Sequence, residues 1–391
     1  MMCRPRLLSL RTYVCEIVEE FIKRAEVEFE AKHVMASYTH IQHAQPVSVA
    51  FWLSQYAAQY LRDATRLKNA YTLTNQNPLG GGAISGTSFP IDRQLTTSLL
   101  GFDGLLENTL DATGARDYML DVLSANAILQ TNASRLAEEF ILWSSYEFGS
   151  VVMSDAHAMG SSMMPQKKNP GTLELMRGRA GRVIGSMIAG FTMLKGLPSG
   201  YNRDFHEEKE ILFESLTLVN RAMEVLPTIV SDTTFKYDRM KQLSYGNFAA
   251  ATELANLIVR KNIPFREAHH IVGTFVGDCV NKGVTFEGQT QACLEHLQSK
   301  GVEVSLEDVE GALESEKIVA SYNSFGGTGP QSVRNCLDNQ KADLERLRSE
   351  LKADEEKQEK AYQACRNISG EAGNVTSLQN LQELVQKYKP T

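Results

Sequence analysis

At 391 residues, with 42% hydrophobic and 22% charged, the chain has the composition of an ordinary soluble globular protein, with room for more than one domain. A formal net charge of −7, with basic residues scattered rather than gathered in a stripe, excludes an electrostatic footprint for nucleic acid, and no run approaches the ~20 apolar residues of a membrane helix. An anionic ligand therefore needs a local cationic site, because the global field does not attract it.

The start, MMCRPRLLSLRTYV, lacks the continuous apolar core of a secretory signal. From Val14 the apolar positions Val14, Ile17, Val18, Phe21, Ile22 and Ala25 recur at helical spacing with Glu and Lys between them, which predicts an amphipathic helix. After Pro46 a second stripe runs through Leu53, Ala57, Tyr60, Leu61, Ala64 and Leu67. Tyr118 to Phe148 carries few charges in its first half, the pattern of a helix buried inside a bundle. A helix from about Leu173 to Leu194 contains Gly178, Gly181, Gly185 and Gly190. Each glycine costs about 1 kcal/mol relative to Ala, so close approach of neighbouring helices is the expected compensation. Another helix is expected over Glu207–Leu226. Strand alternation is nearly absent, and no internal repeat is visible.

The composition shifts at Ser244–Asn247. Shorter helices follow over Phe248–Arg260, Phe265–Lys282 and Gly288–Lys300. Gly326-Gly327-Thr328-Gly329-Pro330 then breaks the chain before a highly charged helix to about Arg366, whose Lys/Glu alternation reads as a solvated face. The tail from Ser369 is expected to be loosely attached. The fold class is all-α: an elongated helical bundle over residues 1–245, then a small C-terminal helical domain with the charged helix and tail over 246–391. Six widely spaced cysteines form no C-x-x-C pair and no zinc spacing, which reads as free thiols in a reducing, cytoplasmic compartment.

The most informative segment is Gly160-Ser161-Ser162-Met163-Met164-Pro165-Gln166-Lys167-Lys168-Asn169-Pro170. It places small residues before a proline and paired lysines after it, between two helices. Backbone N–H groups, two hydroxyls, an ammonium and an amide could converge there on a carboxylate. A capped surface loop fits the same features, with Asn169 as N-cap and Pro170 in the first turn.

The segment resembles the G-S-S-x-M-P-x-K-x-N-P signature of the fumarase/aspartase superfamily. Tyr38-Thr39-His40-Ile41-Gln42-His43-Ala44-Gln45-Pro46 resembles the Y-T-H-x-Q-x-A-Q-P segment of its argininosuccinate lyase branch. Asn77 to Thr87, followed by Ile91-Asp92-Arg93, resembles that branch's glycine-rich stretch, and Asp111-Ala112-Thr113 with Arg116-Asp117 agrees. The resemblance runs from about residue 13 to about residue 345. It implies β-elimination of an N-substituted aspartate to fumarate and an amine, argininosuccinate to arginine and fumarate first. It also implies a homotetramer with sites shared between subunits, a small anionic substrate, and no metal or organic cofactor.

By the same resemblance Ser161 is the base, which needs activation because a free serine is a very weak acid. Lys167 and Asn169 face the charge that develops on the aci-carboxylate. His40, paired with Glu174, serves the departing nitrogen. Taken alone, His40 also fits a hydrogen-bonded structural histidine, and the motif tips the reading. Thr39 and Gln42 are substrate-side donors. His43, His157, His269 and His270 match no catalytic position.

Two departures qualify the likeness. Met1 to Arg11 contain nothing like the Ser-Arg-Asn-Asp-Gln segment that ends the family's N-terminal domain. The favoured expectation is a start assigned too late; the alternative is a shortened, weak or non-catalytic structural or regulatory subunit. In Tyr201-Asn202-Arg203-Asp204-Phe205-His206-Glu207-Glu208-Lys209, Tyr201 and Lys209 match the residues that hold the arginine half, but His206 replaces a glutamine. The same chemistry on a different N-succinyl amine or amino acid is the rival that this substitution raises.

Overall fold

Polar caps start the helices where the sequence places small hydrogen-bonding residues: Ser48 accepts the Phe51 N–H at 3.2 Å, Asp92 that of Leu95 at 2.9 Å, and Asn108 those of Leu110 and Asp111. The computed structural model describes residues 2–372 and 377–390. In chain order come α1 (Cys3–Ala31), β1 (Val34–Thr39), β2 (Gln42–Ser48), α2 (Val49–Thr74), β3 (Gln76–Asn77), α3 (Arg93–Leu99), β4 (Gly104–Leu105), α4 (Thr109–Gly114) and α5 (Asp117–Ser144). Then follow β5 (Val151–Val152), β6 (Met159–Gly160), β7 (Lys168–Asn169), α6 (Gly171–Leu194), α7 (Glu208–Asp232), β8 (Thr234–Phe235) and α8 (Tyr237–Ser244). The remainder is α9 (Ala251–Arg260), α10 (Phe265–Lys282), α11 (Thr290–Ser299), α12 (Leu306–Leu313), α13 (Ser315–Ser321), α14 (Pro330–Ala372) and α15 (Leu378–Tyr388). The chain is all-α in class, as the periodicity predicts. Among the described residues the strands form only two-stranded pairs: β1 with β2, β3 with β4, β5 with β8, and β6 with β7.

Five long helices, α1, α2, α5, α6 and α7, enclose one core. Phe21 on α1 is fully buried and stacks between Tyr56 and Tyr60 of α2, at 5.4 and 5.9 Å. Some polar side chains inside this core are paired: Asn126 donates to Ser215 at 3.0 Å, and Trp52 and Tyr56 both donate to Glu139. A second, separate cluster gathers Leu254, Ile258, Phe275, Cys293 and Leu297 from α9, α10 and α11. Among the described residues no helix is long and apolar enough to cross a membrane.

Several expectations change. The hairpin of β1 and β2 falls where no strand is expected, because a bulge between Ala36 and Tyr38 interrupts the period-two pattern. The charged helix α14 is grouped by sequence with the small domain, yet Val333, Leu337, Leu344, Leu347 and Leu351 join the large core. Its charges also pair with the bundle: Arg348 with Glu19 at 2.6 Å, Asp354 with Arg11 at 2.6 Å, and Glu350 with Lys68 at 2.6 Å. A sparse leucine stripe among many charges is read from sequence as a solvated face, although one side of such a helix can be buried. Of the tail, α15 returns to place Lys387 at 3.1 Å from Glu371, while residues 373–376 and 391 lie outside the described residues. Within one chain, of Gly178, Gly181, Gly185 and Gly190 only Gly190 closely approaches a neighbour; a Cβ there would lie 2.5 Å from Leu123. At Gly178, Gly181 and Gly185 a Cβ would meet nothing within 4 Å.

Phe21→Ala removes an aromatic side chain from the centre of the α1–α2 contact and should destabilise the chain by about 3–5 kcal/mol. Urea unfolding followed by circular dichroism checks this, and a loss under about 1 kcal/mol would contradict the packing described.

Candidate active site

The tripeptide Thr39-His40-Ile41 lies at the tip of the hairpin. Thr39 pairs with Gln42 and Tyr38 with His43, which leaves His40 and Ile41 as a two-residue turn. Such turns need positive φ at both positions, and the two residues have φ of 55° and 60°. Asn-Gly usually fills this role, so a β-branched isoleucine here is a strained choice. Behind the tip, Tyr38 packs edge-on against His43 and tilts against Phe148 at 5.7 Å. Thr39, His40 and Gln42 are all exposed.

The Gly160–Pro170 loop is closed at its base by β6 and β7, where Met159 pairs with Asn169 and Gly160 with Lys168. Ser161 Oγ accepts the N–H groups of Met163 at 3.2 Å and Met164 at 3.0 Å. The two lysines part company: Lys168 Nζ is bound to Asp155 at 2.6 Å and holds that carboxyl below its usual range. Lys167 makes no ion pair among the described residues, and its side chain is exposed. Asn169 does not cap α6 as expected; its amide donates to Met159 O at 3.2 Å, so it closes the loop, and Pro170 occupies the cap position. Glu174 sits in the first turn of α6, exposed.

Tyr201 and His206 come together: the Tyr201 hydroxyl and His206 Nε2 are 2.8 Å apart. Between them in sequence, Phe205 is buried and covered by the Arg116 guanidinium at 4.6 Å from the ring centre. Arg116 Nε lies 2.5 Å from Glu208, whose carboxyl burial pushes up while Arg116 opposes the shift. Lys209 is exposed beside them. Tyr201, Arg116 and Glu208 line a cavity of about 600 Å³ whose other wall is the glycine-rich turn at 79–82. Arg93 holds that turn, donating to Leu79 O at 2.8 Å and to Leu106 O at 2.8 Å. Arg116 and Glu208 were not singled out from sequence as site residues; the matched Arg116-Asp117 pair was the available signal.

These three groups do not meet in one chain. His157, just before the loop, lies 3.3 Å from Asp232 at the end of α7, whereas Tyr201 to Lys209 precede and begin α7. The 24 residues of α6 separate loop from Tyr201 segment by about 36 Å at 1.5 Å per residue. The hairpin shares the loop's end of the bundle, but among the described residues no hydrogen bond or ion pair joins His40 to Glu174.

A family model described as "Lyase" matches residues 1–185, and one described as "Argininosuccinate lyase C-terminal" matches residues 248–320. Argininosuccinate lyase of Streptococcus gordonii is 41% identical over 339 residues, covering 87% of this chain and 71% of that protein. The enzyme of the same name from Anoxybacillus flavithermus is 41% identical over 343 residues, covering 86% and 74%. Among solved structures, EDDS lyase in complex with formate superposes with a TM-score of 0.84 at 27% identity, covering 98% of this chain and 74% of that one. The 3-carboxy-cis,cis-muconate lactonizing enzyme from Pseudomonas putida, at 17% identity and a TM-score of 0.71 over 88% of this chain and 74% of that one, shares the fold.

Gly82 has φ of 61°, and a Cβ there would lie 2.5 Å from the Gly86 carbonyl oxygen. Gly82→Ala should therefore cost about 1–3 kcal/mol and open the 79–87 turn to proteolysis. Limited proteolysis with a thermal melt checks it; an unchanged melt and cleavage pattern would refute the requirement.

Proposed function

The chain belongs to the argininosuccinate lyase family, and from that membership we propose that it splits argininosuccinate into arginine and fumarate in sites assembled from several copies of the chain. Ser161 removes a proton from the carbon beside a carboxylate of the succinyl half. The released electron pair is held first as an aci-carboxylate, then forms the carbon–carbon double bond as the C–N pair departs with the nitrogen. That nitrogen takes up a proton at the His40 end, directly or through water. Lys167 and Asn169 meet the charge on the aci-carboxylate, where stabilisation counts most.

The observation that carries this reading is the environment of Ser161 Oγ, which receives two backbone N–H groups at 3.2 and 3.0 Å. Donors aimed at a hydroxyl oxygen favour its ionised form, and so ease the hardest requirement of the mechanism. The division of the lysines supports it too: Lys168 is engaged by Asp155, which leaves Lys167 for an anion.

Exposure supports the assembly. Thr39, His40, Gln42, Lys167, Glu174, Tyr201, His206 and Lys209 all face solvent on the single chain, whereas stabilising a developing charge requires exclusion of water. Glu174, Gly178, Gly181, Gly185 and Ile188 fall on one stripe of α6 at helical spacing. Its glycines have open space above them, and Ile188 is 57% exposed. A homotetramer in which a second copy lies on this stripe covers the apolar positions and brings its own His40 toward Glu174. The setting is cytoplasmic, and no cofactor enters any step.

A second reading keeps the chemistry and changes the amine. It rests on His206, whose Nε2 is already engaged by the Tyr201 hydroxyl. A histidine–phenol pair presents a shorter, differently directed group than a glutamine amide, so another N-succinyl amine could fit that end.

Absorbance near the ultraviolet edge, following fumarate release from argininosuccinate, tests the activity. A panel of N-succinyl amines ranked by kcat/KM decides the amine: argininosuccinate ranking first removes the second reading. Ser161→Ala should abolish turnover and leave the oligomer intact by light scattering; near-normal turnover would remove Ser161 as the base. Gly181→Leu should shift the assembly to smaller species and lower turnover with it, and an intact, active tetramer would contradict the α6 interface.

A further inference from the structure

The loop at 322–329 carries a glycine-rich motif that the chemistry above does not use. It is built tightly. Gly329 N–H donates to Tyr322 O at 2.9 Å and Gly327 N–H to Ser324 O at 2.8 Å. A Cβ on Gly327 would lie 2.6 Å from Tyr322 O, and one on Gly329 would lie 2.5 Å from Asn323 Oδ1. The turn therefore admits no side chain at either place. What this compact turn presents is Thr328, only 4% exposed, and the Tyr322 hydroxyl.

Both groups hold β2. Ser48 N–H donates to Thr328 Oγ1 at 2.8 Å, and the two hydroxyls lie 3.3 Å apart. Gln45 Nε2 reaches the Tyr322 hydroxyl at 3.4 Å. Tyr322 is in turn anchored in the second core cluster and hydrogen-bonded to Glu253, a buried carboxylate paired with Arg260 at 2.6 Å. Ser48 also caps α2, so one residue joins the hairpin base, the bundle and this loop.

We infer that the 322–329 loop is a clamp that sets the direction of the β1–β2 hairpin, with Thr328 and Tyr322 as positioning residues for the His40 tip. This rests on the proposed role of His40. The physical need is plain: the His40-Ile41 turn has positive φ at both residues and an exposed tip, so it lacks burial to hold it. A strained turn persists only where its surroundings over-determine it. Through Tyr322 the clamp also ties the active hairpin to the small helical cluster, which otherwise has no part in the chemistry.

The test uses the full chain and two independent readouts. Thr328→Val keeps the shape and deletes the acceptor of the Ser48 N–H, while Thr328→Ser keeps that acceptor. Amide hydrogen exchange of the 38–43 peptide should quicken about fivefold or more in the valine variant and stay near wild type in the serine variant. Fumarate release should show kcat lowered about tenfold in Thr328→Val with KM within about twofold, because misorientation harms the step after binding. Tyr322→Phe, which leaves the Thr328 contact in place and removes the hydroxyl that meets Gln45 and Glu253, should move both readouts the same way by less, and serves if Thr328→Val does not fold. Unchanged exchange at 38–43 overturns the clamp. Faster exchange with unaltered kcat, while His40→Asn is inactive, overturns the positioning role. Full turnover in His40→Asn instead defeats the proposed role of His40, and the exchange result alone then decides the clamp.

Discussion

The apolar face of α1 is the contact on which the rest of the molecule depends. Leu7, Leu10, Val14, Ile17, Val18 and Phe21 are completely or almost completely buried, and α2, α7 and α14 all pack on this helix. Burial of such side chains is worth roughly 1.5–3 kcal/mol each relative to exposure, so a single face of one helix supplies a large part of the drive to fold. It also fixes direction. Arg6 near the start of α1 reaches Phe213 and Thr217 early in α7, and Arg24 further along reaches Val230 and Thr233 at its end. The two helices therefore run parallel, and every connecting segment is assigned to one end of the bundle or the other.

That assignment determines where chemistry can occur. Loops leave helices at their ends, and long straight helices keep the ends apart. The serine-containing loop and the hairpin emerge at one end, and the Tyr201 segment with its glycine-walled cavity lies at the other. A rigid bundle cannot fold back to join them. Residues proposed to act on one small substrate are thus distributed along a rod, and packing rods side by side is the simple way to bring different ends together. The open glycine stripe on α6 has the shape for it.

Local geometry then separates residues that look alike in the chain. Lys167 and Lys168 are adjacent, yet the β6–β7 pairing turns one toward Asp155 and leaves the other exposed. Asn169 looks like a helix cap and instead closes the loop through Met159. His206 and Tyr201, five positions apart, are joined by a turn pinned on buried Phe205. In each case the backbone around the residue decides which atoms remain available to a ligand.

Helical class, the main helix positions and the motif segments were determined by the sequence itself, because apolar spacing and cap chemistry are local properties that need no partner. Phe265–Lys282 is bounded in the sequence by Pro264 and Gly283 and is bounded there in the structure. The hairpin was not legible, since its bulge erases the alternation that marks a strand. Nor was the place of α14: its leucines are few among many charges, and only the facing surfaces of α1 and α2 show that one side is buried. The distance between the candidate site segments, and the grip of Thr328 on Ser48, belong to tertiary structure alone. They join residues up to 280 positions apart, and no local spacing carries information about a contact made across that much chain.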